Sequence, residues 1–339
     1  MTKIAHFIET IELGGVLRNL ETLMAHMPDI EHVRHDVAPR RQLPPVVPKD
    51  QLVVIHFTAS WSKLPYLAAL RAVRGTAPVV IVEHSYTENY EKYVVPHVNR
   101  FRTMLKLLYR LADRVVAVSE RQAEWLERIG VVERGKIVVI QSSTELRRFA
   151  SLAPPVQRRP GEPLRVGSLG RYHEQKGYGF LIRAMRQIPP EVATLRLAGV
   201  GPYHAMLKAM AADLPHVTVE GATSDVPRFL QSIDVVAMPS RWESFGQVAL
   251  EGRAAARPLI ASACDGLIDQ NHPSWGWSVP CDDIAGLTRA IEAAASADLT
   301  RMGLAARASV EGHLEHSLDT WRGLARELLD APSARTKAA

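Results

Sequence analysis

Residues 233–251 read IDVVAMPSRWESFGQVALE, and this stretch passes from a continuous apolar run into a run of good helix formers. The apolar run at 233–239 is typical of a strand buried on both faces, because the strands of a parallel sheet carry helices on each side. The helix is predicted over residues 244–256, with Ser244 as its N-cap. A strand, a proline and a helix in this order indicate one unit of a parallel α/β sheet.

The same alternation recurs along the whole chain. Apolar, β-branched runs separated by helical patterns lie at 3–9, 52–57, 78–84, 114–119 and 136–141, and again at 164–170, 194–200, 216–221, 234–239 and 258–262. Residues 151–163, SLAPPVQRRPGEP, interrupt the pattern and are predicted to form a linker. The sequence therefore predicts two parallel α/β domains in series, with ligands bound outside the carboxyl ends of their strands.

Composition narrows the class of protein. A chain of 339 residues exceeds the usual size of one core, which favours two domains. It is 47% hydrophobic and 23% charged, and no apolar run approaches the ~20 residues that cross a bilayer. Glu9 and Glu12 disfavour a signal peptide, and two cysteines, Cys264 and Cys281, form neither a disulfide framework nor a zinc cluster. These features predict a cytoplasmic location.

The formal charge of +5 is unevenly distributed. Residues 1–160 contain 23 Lys and Arg against 16 Asp and Glu, whereas residues 161–339 contain 18 against 20. The basic half is therefore expected to face an acidic partner.

Glu243 and Glu251 lie eight residues apart across the predicted start of the helix. The backbone N–H groups at Phe245 and Gly246 would be free there and would form an anion site. Glu251 would lie two turns into the helix, roughly 10 Å further along at ~1.5 Å per residue. This spacing suits a nucleotide sugar, with sugar hydroxyls at Glu243, the diphosphate at the first turn and ribose at Glu251. The alternative is that both carboxylates are solvated or capping charges.

Residues 238–262, MPSRWESFGQVALEGRAAARPLIAS, resemble the retaining GT-B glycosyltransferases of family 4, whose E-x7-E motif appears here as ESFGQVALE. Residues 168–184, SLGRYHEQKGYGFLIRA, are similar to the segment that binds the donor diphosphate in this family. The resemblance implies that role for Arg171 and Lys176, whose charges suit a phosphate. Without the resemblance the two would be interpreted as a surface pair.

The first half of the chain carries two weaker matches to the same family. Residues 12–20, ELGGVLRNL, look like its glycine-rich loop, and Gly14 and Gly15 would let the backbone approach the donor. His84 ends the run 78–84, where the family has a histidine that contacts the donor sugar. The alternatives are an ordinary tight turn for the two glycines and a packing role for His84.

The resemblance implies an α/β fold of the GT-B type, in which two Rossmann-like domains face each other across a cleft. Residues 1–155 would bind the acceptor, residues 156–315 would bind the nucleotide sugar, and the helix in 316–339 would cross back to the first domain. His84 and Glu243 would be catalytic. The donor would be bound by Gly14, Gly15, Arg171, Lys176, Ser244, Phe245, Gly246, Gln247 and Glu251.

The implied reaction is transfer of a hexose from a UDP- or GDP-sugar, with retention, to a glycolipid, a lipid-linked oligosaccharide or a polysaccharide. The sequence has no DxD triplet, and neither a metal nor a cofactor is implied, because Arg171, Lys176 and helix amides can offset the charge of the leaving group. The chain departs from the family at Gln141-Ser142-Ser143, at Ala256 and at residues 264–267. These departures bear on the identity of the donor sugar.

Residues 98–114, VNRFRTMLKLLYRLADR, form a predicted amphipathic helix with a cationic stripe at Arg102, Lys106, Arg110 and Arg114. Its apolar stripe could cover its own sheet, or the helix could lie on anionic lipid at the inner face of the cell membrane.

Two other functions are alternatives. An NAD-dependent enzyme or nucleotide-sugar epimerase would need a G-x-G-x-x-G after the first strand, which is missing. A nucleic-acid binder would need a basic surface interleaved with aromatic residues, and no nucleic-acid partner is predicted.

Overall fold

The computed structural model describes residues 2–9, 15–39, 44, 50–74, 77–156, 158–159 and 161–330. The chain divides into two compact units, residues 1–144 with 313–339, and residues 145–312. In each unit the described strands form one parallel sheet of six. Among the described residues, no helix has both the length and the apolar character needed to span a membrane.

The first unit contains a sheet with the strand order β2-β1-β3-β4-β5-β6. Its strands are β1 (Thr2–Glu9), β2 (Ile30–Val37), β3 (Gln51–Ile55), β4 (Val79–Glu83), β5 (Arg114–Ala117) and β6 (Ile137–Val139). Its helices are α1 (Gly15–His26), α2 (Leu64–Arg74), α3 (Glu88–Val94), α4 (Val98–Arg110), α5 (Glu120–Arg128) and, from the end of the chain, α14 (His313–Asp330).

The second unit contains a sheet with the strand order β12-β11-β10-β7-β8-β9. Its strands are β7 (Leu164–Leu169), β8 (Ala193–Ala198), β9 (Val217–Glu220), β10 (Val235–Met238), β11 (Leu259–Ser262) and β12 (Gly276–Val279). Its helices are α6 (Arg147–Ala150), α7 (Tyr178–Met185), α8 (His204–Ala211), α9 (Val226–Gln231), α10 (Gln247–Ala254), α11 (Asp265–Gln270), α12 (Ile284–Ala295) and α13 (Leu299–Ala308).

The predicted fold class, parallel α/β with two Rossmann-like domains, is confirmed. The apolar runs lie on strands whose side chains are buried on both faces, as in β3, β4 and β10. Two edge strands, β2 and β12, were not predicted. β2 has the sequence IEHVRHDV, in which charged and histidine side chains interrupt the apolar pattern, and it pairs on one side only, with β1.

The helix α14 packs against the first unit although it follows the second in the sequence. Trp321 and Leu324 are buried, and the Ser317 hydroxyl donates to the Gln141 carbonyl at 3.1 Å. Residues 145–155, by contrast, belong to the second unit, where Arg257 Nη1 donates to the Ala153 carbonyl at 2.9 Å.

Candidate functional site

Two loops meet in the second unit at the carboxyl ends of the neighbouring strands β7 and β10. The strand order of this sheet reverses between those two strands, and ligands of doubly wound sheets bind at such a point. The loop after β7 carries Arg171 and Lys176, and the loop after β10 carries Glu243. The topology alone therefore selects the segments that contain the predicted donor residues.

The two loops are joined by backbone and side-chain contacts. Arg241 N donates to the Gln175 carbonyl at 2.8 Å, and Gln175 Nε2 donates to the Trp242 carbonyl at 3.1 Å. Lys176 Nζ forms an ion pair with Glu243 Oε2 at 2.5 Å, although the two residues are 67 positions apart in the sequence. Their side chains are only 17% and 10% exposed. The structure thus brings a predicted diphosphate ligand and a predicted sugar ligand into direct contact.

The helix that follows Glu243 begins later than predicted. α10 starts at Gln247, and its N-cap is Gly246, not Ser244. Gly246 has a φ of 93°, which lies outside the helical region and is accessible mainly to glycine. The preceding Phe245 is buried in the loop.

This shift changes the geometry of the anion site. The first turn of α10 begins at Gln247, so the amides of Phe245 and Gly246 precede the helix and do not belong to its N-terminal turn. Glu251 lies about one turn into the helix instead of two, roughly 6 Å along its axis. Glu251 is buried, with only 1% of the residue exposed.

A neighbouring segment, which the sequence marked only as a departure from the family pattern, holds the loop in place. Glu243 N donates to Asp265 Oδ2 at 3.1 Å, and Gly266 N donates to the Glu243 carbonyl at 3.0 Å. Gln270 Nε2 donates to the carbonyls of Phe245 at 2.6 Å and Gly246 at 2.9 Å. Asp265 and Gly266 fall in the segment 264–267 that departs from the family pattern, whereas no local signal marks Gln270.

Other groups line the same region. Arg171 is exposed, and Ser244 and Gln247 are half-buried.

The two cysteines of the chain lie near the same carbonyl, since Cys264 Sγ is 3.3 Å and Cys281 Sγ 3.8 Å from the oxygen of Ser240. The hydrogen bond with Cys281, together with burial, raises the pKa of the Cys264 thiol. Within the described part of the chain, no cluster of three or more His, Cys, Asp or Glu side chains could hold a metal ion.

In the first unit, His84 directly follows β4, at the carboxyl edge of the sheet. Its Nε2 lies 3.2 Å from His56 Nδ1, and burial lowers the pKa of His84 to about 4. The ring is therefore neutral at pH 7. Gly15 is the first residue of α1, and Gly14 lies outside the described residues.

Glu83 fixes the turn that carries His84. Its Oε1 accepts from Ser85 N at 2.7 Å and Tyr86 N at 2.9 Å, and its Oε2 accepts from the Tyr109 hydroxyl at 2.6 Å. Burial raises the pKa of this carboxyl.

Comparison with protein families identifies the chain. A model of glycosyltransferase family 4 matches residues 18–148, and a model of glycosyl transferases group 1 matches residues 163–297. The chain belongs to the group 1, family 4 glycosyltransferases.

Curated relatives carry names from lipopolysaccharide and glycolipid synthesis. The chain is 32% identical over 191 residues to the lipopolysaccharide core biosynthesis glycosyltransferase LpsD of Rhizobium meliloti (strain 1021), covering 54% of this chain and 53% of that protein. It is 28% identical over 297 residues to the phosphatidyl-myo-inositol mannosyltransferase of Mycolicibacterium smegmatis, covering 84% and 72%. The matches to LpsD and to the related LpsE span 53% and 58% of those proteins.

Solved structures share the GT-B fold over nearly the whole chain. Anabaena HepE in complex with UDP and glucose superposes with a TM-score of 0.74 at 17% identity, covering 96% of this chain and 99% of that one. Sucrose-phosphate synthase from Thermosynechococcus elongatus gives a TM-score of 0.76 at 22% identity, covering 98% and 100%.

One departure from the family has a structural meaning. Ala256 stands where many members have glycine, and its φ is 55°. A left-handed residue at the end of a helix is usually glycine, because a side chain crowds the following carbonyl there.

Proposed function

We propose that this glycosyltransferase moves a hexose from a UDP- or GDP-sugar, with retention, to a glycolipid, a lipid-linked oligosaccharide or a polysaccharide. The observation that carries the proposal is the Lys176–Glu243 pair at the point where the strand order of the second sheet reverses. The names of the relatives, which include lipopolysaccharide core biosynthesis and a phosphatidyl-myo-inositol mannosyltransferase, support the class of acceptor. With such an acceptor, the enzyme would transfer the sugar at the inner face of the cell membrane.

In this proposal the positive groups bind the diphosphate. Lys176 and Arg171 supply charge, and the first amides of α10 supply N–H donors. Glu251, one turn further into α10, accepts hydrogen bonds from the ribose hydroxyls. In the first unit, Gly15, the first residue of α1, is the glycine that would let the backbone approach the donor.

The ion pair with Lys176 suggests a role for Glu243. A diphosphate carries more negative charge than one carboxylate and competes with Glu243 for Lys176. Once Lys176 has turned to the diphosphate, the Glu243 carboxylate is released to accept hydrogen bonds from the hydroxyls of the donor sugar. Binding of the nucleotide thus prepares the group that binds the sugar.

Calorimetric titration with UDP and with GDP tests these roles. We expect Glu251→Gln to weaken binding of the preferred nucleotide by about ten-fold or more, since a hydrogen bond to a charged group contributes about 1.5–3 kcal/mol. Lys176→Met should weaken it as well. Glu243→Gln should bind the bare nucleotide at least as tightly as the parent, because it removes the competitor for Lys176, yet it should lose turnover with the nucleotide sugar.

Glu191→Gln is the matched control, an exposed carboxylate of the same unit, and should bind like the parent. The assignment is overturned if Glu251→Gln also binds like the parent, or if Glu243→Gln loses nucleotide binding together with turnover.

A further inference from the structure

Four histidines from four adjacent strands of the first sheet form one hydrogen-bonded row, which we call the histidine row. His32 lies on β2, His6 on β1, His56 directly after β3 and His84 directly after β4, in the order of the strands in the sheet. His32 Nδ1 lies 2.9 Å from His6 Nε2, His6 Nδ1 lies 3.0 Å from His56 Nε2, and His56 Nδ1 lies 3.2 Å from His84 Nε2. His6 is 1% exposed and His56 6% exposed.

The pattern of these contacts restricts the protons. Every contact joins Nδ1 of one ring to Nε2 of the next. In a neutral imidazole one nitrogen donates and the other accepts, so a ring that accepts at Nε2 must donate at Nδ1. The constraint passes from ring to ring, and all four rings must therefore share one tautomer.

The rings are neutral near pH 7. Burial lowers the pKa of His6 to about 3 and holds the pKa of His56 well below its usual range. Burial also lowers the pKa of His32 and His84. The titratable neighbours are His35 beside His6 and Asp29 beside His32.

We propose that His56, with His6 and His32 behind it, is a positioning residue for His84, because the histidine row fixes which ring nitrogen of His84 carries the proton. The inference rests on the proposed function, sugar transfer from a nucleotide sugar, and on the contact of His84 with the donor sugar that the family resemblance implies. His56 occupies Nε2 of His84, and the proposal assigns the contact with the donor sugar to the opposite ring nitrogen, Nδ1. The shared tautomer decides whether Nδ1 donates or accepts.

Nitrogen-15 NMR of the donor-free protein at pH 7.5 tests the row directly, since long-range ring correlations distinguish the two neutral tautomers. We expect one tautomer in all four rings. In His56→Phe we expect the tautomer populations of His84 to change from those of the parent, while His216, a ring of the second unit, keeps its signals. Different tautomers within the row of the parent, or an unchanged His84 in the folded His56→Phe variant, would overturn the proposal.

Measurements of kcat test whether the positioning of His84 matters for sugar transfer. We expect His56→Phe to lower kcat by about ten-fold, the size of effect expected from one hydrogen bond. His56→Asn keeps a polar atom near the position of Nδ1 and should recover most of kcat, and it also serves if His56→Phe fails to fold. His316→Phe, an exposed histidine on α14, is the control.

The outcomes separate the two proposals. If the parent transfers no sugar from any UDP- or GDP-sugar, the proposed function fails, and the NMR result still decides whether the row exists. If the parent is active and the folded His56→Phe variant keeps full kcat, the positioning role fails and the proposed function stands.

Discussion

Glu243 is held by groups from separate segments of the second unit. Lys176 and Ser240 contact its carboxylate, with the Ser240 hydroxyl 3.3 Å from Oε2, while Asp265 and Gly266 bind its backbone. A side chain restrained on both its carboxylate and its backbone has little rotamer freedom to lose when a ligand binds. The position of the Glu243 carboxylate therefore depends on the loop that surrounds it.

Gly266→Ala should displace that loop. A Cβ at residue 266 would lie 2.2 Å from the Ser244 carbonyl oxygen and 2.9 Å from the Phe245 Cα, and these backbone atoms cannot move without the segment that carries Glu243. We expect a loss of about 1–3 kcal/mol in the free energy of unfolding, as for overpacked cores. Urea denaturation measures this loss, and titration with UDP or GDP should show weaker binding.

Gly221→Ala is the matched control, because nothing lies within 4 Å of a Cβ at residue 221. Its free energy of unfolding should stay within about 0.5 kcal/mol of the parent. Equal losses in the two variants would show that the close approach at Gly266 does not contribute to the free energy of unfolding.

The helix α4 has one face packed on the core of the first unit and one face exposed to solvent. Its apolar stripe covers its own sheet, where Met104, Leu105 and Leu108 are buried in the core of the first unit. Arg102 forms an ion pair with Glu91 at 2.6 Å, which compensates much of its charge. Lys106 and Arg110 are exposed. α4 ends at Arg110, so Arg114, which was predicted to continue the cationic stripe, lies on β5 instead and pairs with Glu327. Of the predicted stripe, Lys106 and Arg110 are therefore the exposed cations left to attract an anionic membrane.

The double variant Lys106→Gln/Arg110→Gln should bind anionic vesicles more weakly than the parent. Each cation near such a surface contributes about 1 kcal/mol, so the expected loss is about ten-fold or more in the partition coefficient at low salt. Charges are screened over about 8 Å at physiological ionic strength, and the difference should shrink as salt is added. Co-sedimentation with phosphatidylserine vesicles measures both effects.

Arg183→Gln/Lys208→Gln removes two exposed cations from helices of the second unit and serves as the control. The membrane interpretation of α4 fails if the parent never sediments with the vesicles, or if the control and the test variant lose binding equally.

At the scale of the whole molecule, the two units bury different kinds of titratable groups. The first unit buries neutral histidines in the histidine row. The second buries Arg253 and Arg257, and burial lowers the pKa of each to about 10, so both stay charged at neutral and acid pH. The two units should therefore respond differently to acid.

The first unit should lose stability as the pH falls from about 6.5 towards about 4. The unfolded chain binds a proton at each histidine near pH 6.5, whereas the folded row does not, so the free energy of unfolding falls by up to about 1.4 kcal/mol per histidine per pH unit. Glu83, whose pKa is raised, opposes this loss with a single group. Hydrogen exchange at pH 7.5 and 5.5, read by mass spectrometry, should show the loss of protection in residues 2–9, 30–37 and 51–55.

The second unit is the internal control for this experiment. Its core strands, β7 and β10 among them, should keep their protection at pH 5.5. Equal loss in both units, or earlier loss in the second, would contradict the assignment of acid sensitivity to the histidine row.

The sequence by itself determined the fold class and the family. Buried parallel strands are continuous apolar runs, and this local property placed β3, β4, β7 and β10 close to their observed positions. The segment ESFGQVALE identified the family because its spacing is local as well. The edge strands β2 and β12 escaped prediction, because charged and histidine side chains interrupt β2 and β12 has only four residues, whereas the other two edge strands, β6 and β9, carry apolar runs that were recognised.

Only the tertiary structure decided which distant groups meet. The ion pair of Lys176 with Glu243 exists because β7 and β10 are neighbours in the sheet, and strand order is not written in any local pattern. The start of α10 at Gln247 follows from the close passage of Gly266 and from the φ of Gly246. His6, His32, His56 and His84 form a row for the same reason, because adjacent strands bring residues far apart in the sequence to within hydrogen-bonding distance.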